Sequence, residues 1–375
     1  MAPSSLLALN TDVLTAICEA IYHTRDVDRA RHYNRGMLRG FSTTCKAIRA
    51  TSVPILFRVL KIRRESLDVS THILHELLRS GLAPHIRQFS FSPNIPIQIL
   101  GQYFRSRDPS VLFKTPDDLP ACASAFVELL KAMPSLEYLN FNPNPNFGAP
   151  LVEAFYCAFV VQDPPVRMEN VKWLAIRSGD TYLRAACPNV TSLTVRMNYE
   201  TGMDDPEVWR VGASKVEELS VAELHVARGR DNVIHDICAG MSNVKELSLQ
   251  TPPGGNMTLE VDLLHFKSLR SLVRINLPDA PQLDKEFDPP WCGNAYDGYS
   301  PEELEEVLQR QRDQANAVCA RARRAVRAVF PRIQKVQIGE DLWDLTKLQS
   351  TSEDEFDNLE KEEGRFHMKP VFRYD

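Results

Sequence analysis

The chain has 375 residues, 43% of them hydrophobic and 25% charged, with a formal net charge of −5 at pH 7. That length accommodates two domains or one elongated one, and the mildly acidic balance supplies no global field to draw the chain to nucleic acid. No apolar run approaches the roughly 20 residues of a membrane span, and the opening "MAPSSLLALNTDVLTAICEA" lacks the basic start of a signal peptide.

The first predicted element is an amphipathic helix. Val13, Leu14, Ile17, Cys18 and Ile21 form one stripe at i, i+1, i+4, i+5 and i+8, with Asn10 or Thr11 placed to cap it. The charged "HTRDVDRARHYNRG" reads as a loop. Helical spacing resumes over 37–62 through Leu38, Phe41, Cys45 and Ile48, and Pro54 precedes the apolar "ILFRVLKI".

Residues 5–60 resemble an F-box. That family opens with Leu-Pro and a short helix, "LPxElLxxIxxxL", continues through "LlxlslvcKxl" and closes with "plLyrxvxi". Here Leu9, Val13, Leu14 and Ile17 match the first part. Leu38, Phe41, Cys45, Lys46 and Ile48 match the second, and Pro54, Leu56, Phe57, Val59 and Ile62 the third. Asn10 stands where the family's proline usually is, and the charged linker is longer than is typical. The phrase "STTCKAIRATSVPILFRVLKI" is close to the form common in fungal proteins of this kind. The resemblance implies a small helical module that docks on the Skp-type adaptor of a cullin ubiquitin ligase. Leu9, Val13, Leu14 and Ile17 would then form an apolar surface for the adaptor. Leu38, Phe41, Leu56 and Phe57 would be shared between that surface and the module's own core. The competing reading is a helical cap that seals a repeat array.

After this segment a short phrase keeps returning. It appears as "APHIRQFSF" (83–91), "MPSLEYLNF" (133–141), "MENVKWLAI" (168–176), "CPNVTSLTV" (187–195), "ASKVEELSV" (213–221), "MSNVKELSL" (241–249) and "FPRIQKVQI" (330–338). "FKSLRSLVR" (266–274) joins them once its register moves to Leu272, Ile275 and Leu277. The last two apolar slots are two residues apart and share one face of a short strand. A lone strand cannot bury them, but stacked copies in a parallel sheet can. Pro84, Pro134, Pro188 and Pro331 sit two places before the first aliphatic and mark helix-to-strand junctions. Asn94, Asn144 and Asn198 follow the last aliphatic by three, where a side chain can bond a neighbouring turn.

The phrase resembles the leucine-rich repeat, LxxLxLxxN, and its middle spacings match that family's period of roughly 20–29. The longer gaps leave room for an extra turn or an inserted helix. Helical stretches at 121–132, 149–161 and 231–240 lie between copies. The resemblance implies a horseshoe with a parallel sheet on the concave face and helices outside. The strand positions between the apolar slots, such as Asn140, Thr194, Ser220 and Ser248, would then face the target. Unrelated amphipathic strands in an α/β domain are the alternative.

The C-terminal third interrupts this array. A Pro/Gly/Asp-rich stretch, 276–303, carries Phe287, Trp291, Tyr296 and Tyr299; Trp291 is either a contact for a partner or a staple to the core. One long helix is predicted over 301–329, acidic at its start and basic at its end as the helix dipole favours. Its Arg321, Arg323, Arg324 and Arg327, with Arg332, could instead form a patch for an acidic partner. The tail, 350–375, begins acidic.

No GxxxxGK[ST], GxGxxG, GxSxG or HExxH occurs, so no catalytic residue, cofactor site or metal site is assigned. His72 and His75 lie three apart on a predicted helix and have no third ligand near. The eight cysteines form no close pair and read as reduced thiols, with Cys187 and Cys238 in the core.

The expected molecule is an α/β protein in three parts. An F-box-like module spans 1–62. An irregular leucine-rich solenoid spans 63–349, with a loop inserted at about 278–300, and an acidic tail follows. By resemblance it is a non-enzymatic, cytoplasmic or nuclear receptor subunit that brings a protein substrate to a Skp-type adaptor and cullin, with no nucleic acid or membrane partner. A repeat scaffold with a helical cap and no role in ubiquitination is the alternative.

Overall fold

A computed structural model describes residues 11–23, 38–40, 42–63, 66–95, 97–106, 118–160, 164–197, 206–223, 231–251, 257–284 and 298–348. The chain forms two compact units, Met1–Ile176 with Tyr182–Asn189, and Arg177–Thr181 with Val190–Asp375.

In the first unit, α1 (Thr11–His23) and α2 (Lys46–Leu56) precede β1 (Val59–Arg63). Then come α3 (Leu67–Ser80), β2 (Gln88–Ser92), α4 (Ile97–Ser106), α5 (Asp118–Lys131), β3 (Tyr138–Phe141), α6 (Gly148–Val160), β4 (Trp173–Arg177) and α7 (Thr181–Ala186). The strands are parallel and neighbour one another in chain order. Their register aligns Leu60, Phe89, Leu139 and Leu174 in one row and Ile62, Phe91 and Phe141 in the next. These rows bury against the helices. The Phe126 ring of α5 lies 4.9 Å from Phe91, 5.3 Å from Phe141 and 5.4 Å from Phe155 of α6. Gly81 closes α3 in the left-handed conformation, φ 69°, which favours glycine there.

The second unit repeats the scheme with smaller side chains. It contains β5 (Ser192–Arg196), α8 (Pro206–Arg210), β6 (Glu218–Ala222), α9 (Asp231–Cys238), β7 (Glu246–Gln250) and α10 (Leu259–Asp262). β8 (Arg274–Leu277), α11 (Ala280–Leu283), α12 (Pro301–Val329), β9 (Lys335–Ile338) and β10 (Asp341–Asp344) complete it. One row reads Leu193, Leu219, Leu247, Ile275 and Val336, and the next includes Val195, Val221 and Leu249. The register shift expected at the eighth copy is present, with Leu272, Ile275 and Leu277 all buried. β10 turns back antiparallel to β9. Gly339 makes that turn at φ 58°, where an added Cβ would meet Asp279 Oδ1 at 2.0 Å.

The repeated phrase has a physical signature at each strand start. The Arg87 carbonyl accepts from the amides of Glu137 and Tyr138 at 2.8 and 3.0 Å. Glu217, Lys245 and Val273 carbonyls accept in the same doubled way from the following copy. Proline lies within a single tight turn: Ile86, Leu136 and Ile333 amides donate to the carbonyls of Ala83, Met133 and Phe330 at 3.0–3.1 Å. The missing proline N–H falls where the turn has no use for one.

One expectation changes. The stretch 37–62 is not helical to its end: β1 begins at Val59, inside the segment assigned to the helical module. Pro54 lies within the last turn of α2. Of the two contents expected in the long gaps, the inserted helix is the one found, α4 and α5 in one gap and α11 and α12 in another, with no additional strand among the described residues. Helix α12 spans the residues expected of it. Pro301 stands in its first turn and Ser300 and Glu303 form a reciprocal capping box. Asn198, the linker 24–37 and the tail 350–375 lie outside the described residues.

Candidate interaction surfaces

At the N-terminus, α1 divides its apolar stripe between two environments. Cys18 packs with Leu38 and Ile55 in a cluster flanked by Ile21 and Leu56. Leu14 is also buried, whereas Val13 is 44% exposed and Ile17 is half-buried. Leu14 and Leu38 therefore belong to the module's interior and are closed to an outside partner. Leu56 and Phe57 are half-buried. Leu9 and Phe41 lie outside the described residues. The Cys45 thiol caps α2 by accepting from the Ile48 amide at 3.4 Å. Arg58, just before β1, forms an ion pair with Glu19 of α1.

The strand face turned away from the helices differs between the units. In the first, Ser90, Asn140 and Ala175 stand in register and are 3%, 7% and 4% exposed. Asn140 Nδ2 donates to Ser90 Oγ at 3.1 Å, so Asn140 is a sheltered floor residue and not an open contact. Beside that row, Tyr138 pairs in register with Trp173, which is 44% exposed. The sequence reading passed over Trp173, although a tryptophan in an outward strand slot is unusual enough to be noticed. At the strand ends the asparagines accept from backbone amides, Asn94 Oδ1 from Ile95 N and Asn144 Oδ1 from Asn146 N at 2.9 Å each, and also bond one another, Asn144 Nδ2 donating to Asn94 Oδ1.

In the second unit Thr194, Ser220 and Ser248 are half-buried in their outward slots. The ladder continues at Asn276, whose amide donates to Ser248 Oγ at 2.8 Å and to Glu246 Oε1 at 2.7 Å. Arg274 Nε donates to Asn276 Oδ1 at 2.9 Å, and its Nη2 donates to Gln337 Oε1. Gln337 Nε2 in turn donates to the Gly339 carbonyl at 2.8 Å. This chain of bonds satisfies its own members.

A second asparagine column escaped sequence analysis. Asn170, Asn189 and Asn243 each stand immediately before a first aliphatic. Their Nδ2 groups donate to the carbonyls of Pro134, Glu169 and Ser214 at 2.7, 2.9 and 2.6 Å. The Asn-Val doublet was its signal.

Two arginines of the basic stretch of α12 are engaged in the fold, while Arg324 and Arg332 are exposed. Arg321 reaches Asp284 at 3.3 Å and Glu260 at 3.7 Å, and the guanidinium of buried Arg323 lies 4.8 Å over the Trp343 ring. Tyr299 is 48% exposed, while Phe287, Trp291 and Tyr296 lie outside the described residues.

Arg177 and Asp180 form a buried pair, Nε to Oδ2 at 3.1 Å. The fully buried Arg184 donates from Nη1 to the Cys187 carbonyl at 2.8 Å, while Nε and Nη2 have no hydrogen-bond partner among the described residues. Burial lowers its pKa, and the nearby Cys187 thiol opposes that shift. Burial likewise pushes the thiols of Cys122, Cys187 and Cys238 up to about 12, as expected of core cysteines. A groove of about 500 Å³ beside the 164–170 segment is lined by Leu130, Met133, Pro134, Pro165, Arg167 and Asn170. His72 and His75 are both exposed on α3. Among the described residues no group of three or more His, Cys, Asp or Glu could hold a metal ion, and no helix is long and apolar enough to cross a membrane.

No protein-family model matches the chain, and no curated protein matches it. Among solved structures it is similar to the leucine-rich repeat-containing protein LegL7 from Legionella pneumophila. The identity is 15% over 80% of this chain and 86% of that one, with a TM-score of 0.33.

Proposed function

We propose that the chain is a non-catalytic adaptor: its N-terminal helices dock a Skp-type adaptor of a cullin ubiquitin ligase, and its repeat sheet holds a protein target. Transfer then depends on proximity alone, through the raised effective concentration of a tethered target. In this reading the protein acts in the cytoplasm or nucleus and no residue of the chain takes part in bond chemistry.

The observation that carries the reading is the division of α1. A helix serving only as a cap turns its apolar stripe onto the first repeat. Here Cys18, Leu38 and Ile55 make a separate cluster, and Val13 remains at the surface with Ile17 beside it. A small module with its own core and a spare apolar edge suits docking better than sealing.

The test uses the full chain, because removing 1–62 would also remove most of β1. Val13→Asp alters an exposed position and leaves the cluster in place. Wild type is expected to retain the Skp-type adaptor in a pull-down and Val13→Asp to lose it, with unchanged thermal unfolding. Failure of the folded wild-type chain to retain the adaptor would favour a repeat scaffold with a helical cap. Leu14→Asp is a poor probe, since a buried carboxylate would unfold the module.

A further inference from the structure

We propose that the strand face of the first unit holds an extended, acidic segment of the target and seats one large apolar side chain on Trp173. The proposal deepens the target-capture reading above and rests on it.

Three observations point to this occupant. Leu174 and Ile176 are buried, so alternation along β4 turns Trp173 outward, where it is 44% exposed beside half-buried Tyr138. An exposed indole with a half-buried phenol beside it in register offers the kind of side chains that most often anchor a protein contact. The neighbouring floor of Ser90, Asn140 and Ala175 is small, sheltered and internally bonded. An apolar group can therefore settle against the rings without stranding a buried donor. Finally, the outward positions of β1 to β4 in this unit carry the cations Lys61 and Arg63 and no carboxylate. Such a face favours an acidic segment and disfavours a basic one.

The register sets a dimension. β1 and β4 are separated by three strand spacings, about 14 Å. An extended peptide rises roughly 3.3 Å per residue. Trp173 stands in register with Val59, so Lys61 and Arg63 lie two and four residues further along, about 16 and 19 Å away on the diagonal. The carboxylates that meet them should then lie about five to six residues from the apolar side chain on Trp173.

The experiment is a selection of random displayed peptides on the full-length chain, followed by solution binding of the winners to wild type and variants. Enriched peptides should carry Asp or Glu about five to six residues from a Leu, Phe or Trp. Trp173→Ala should weaken them by about tenfold or more. Lys61→Glu with Arg63→Glu should weaken them comparably and abolish their salt dependence. All these positions are exposed, so unchanged circular dichroism and thermal unfolding confirm that each variant is folded. Neutral or basic winners, no enrichment, or equal binding by wild type and variants would each overturn the proposal. Adaptor retention by Trp173→Ala, measured in parallel, separates this site from the N-terminal one. Val13→Asp should bind the peptides as wild type does.

Discussion

The sheet of the first unit buries phenylalanine where that of the second buries leucine, isoleucine and valine. Phe89, Phe91 and Phe141 meet Phe126 and Phe155 in the first. In the second, the inward rows hold Leu193, Leu219, Leu247, Ile275 and Val336, then Val195, Val221 and Leu249, with no aromatic ring among them. The outward faces diverge as well. The first presents Tyr138, Trp173, Lys61 and Arg63; the second ties Glu246, Ser248, Arg274, Asn276 and Gln337 into a closed network. One repeated phrase thus builds different interiors and different surfaces in the two units. The inward slots require only apolar volume, so they tolerate either ring or branched chain. The outward slots are unconstrained by the core and can diverge towards binding in one unit and towards self-satisfaction in the other.

The interiors give the largest expected effect. Phe126→Ala removes a ring that packs against five others and should destabilise the first unit by about 3–5 kcal/mol, measured by urea unfolding. In that variant Cys122 should become alkylated at lower urea than Cys238, because the damage is local to the first unit. Simultaneous labelling would show that the two units unfold as one. Leu247→Ala should reverse the order, with a loss of about 2–5 kcal/mol.

Next comes the buried pair. Arg177→Ala leaves Asp180 buried beside no cation, and a loss of about 3–5 kcal/mol is expected in the second unit. The surfaces should respond less. Arg274→Ala breaks bonds to Asn276 and Gln337 at a half-exposed site, for about 1 kcal/mol. Arg63→Ala, on the open face of the first unit, should change stability by less than about 0.5 kcal/mol. Equal costs for the two substitutions would remove the distinction between a closed and an open face.

The thiols sharpen the comparison at the smallest scale. Cys122 and Cys238 are held near 12, against an ordinary 9.0, because burial disfavours the thiolate. At pH 8 both should resist alkylation in the native chain while exposed Cys157 reacts. Since the folded values are raised, their contribution to stability is intact below about 9 and is lost as pH climbs towards 12. Rapid labelling of Cys238 at pH 8 without denaturant would mean that the second unit opens readily.

Much of this architecture was legible in the amino-acid order. The three apolar slots recur at a spacing that only a stacked strand can use, and every residue in those slots from Ile86 to Ile338 is buried. Helix α12 was readable because Ser300, Pro301 and Glu303 form a local signal that needs no distant partner. β1 was not, although Phe57, Leu60 and Ile62 keep the slot spacing, because the preceding residues carry helical periodicity without a break. Whether such a segment pairs as a strand is settled by β2 beside it, which local order does not encode. The same limit applied to the surfaces. Alternation told which residues point outward, but not that Asn140 would lie sheltered against Ser90, that Arg323 would lie over Trp343, or that Trp173 would remain open. Inward and outward are properties of one strand, whereas covered and open depend on neighbours brought together only when the chain has folded.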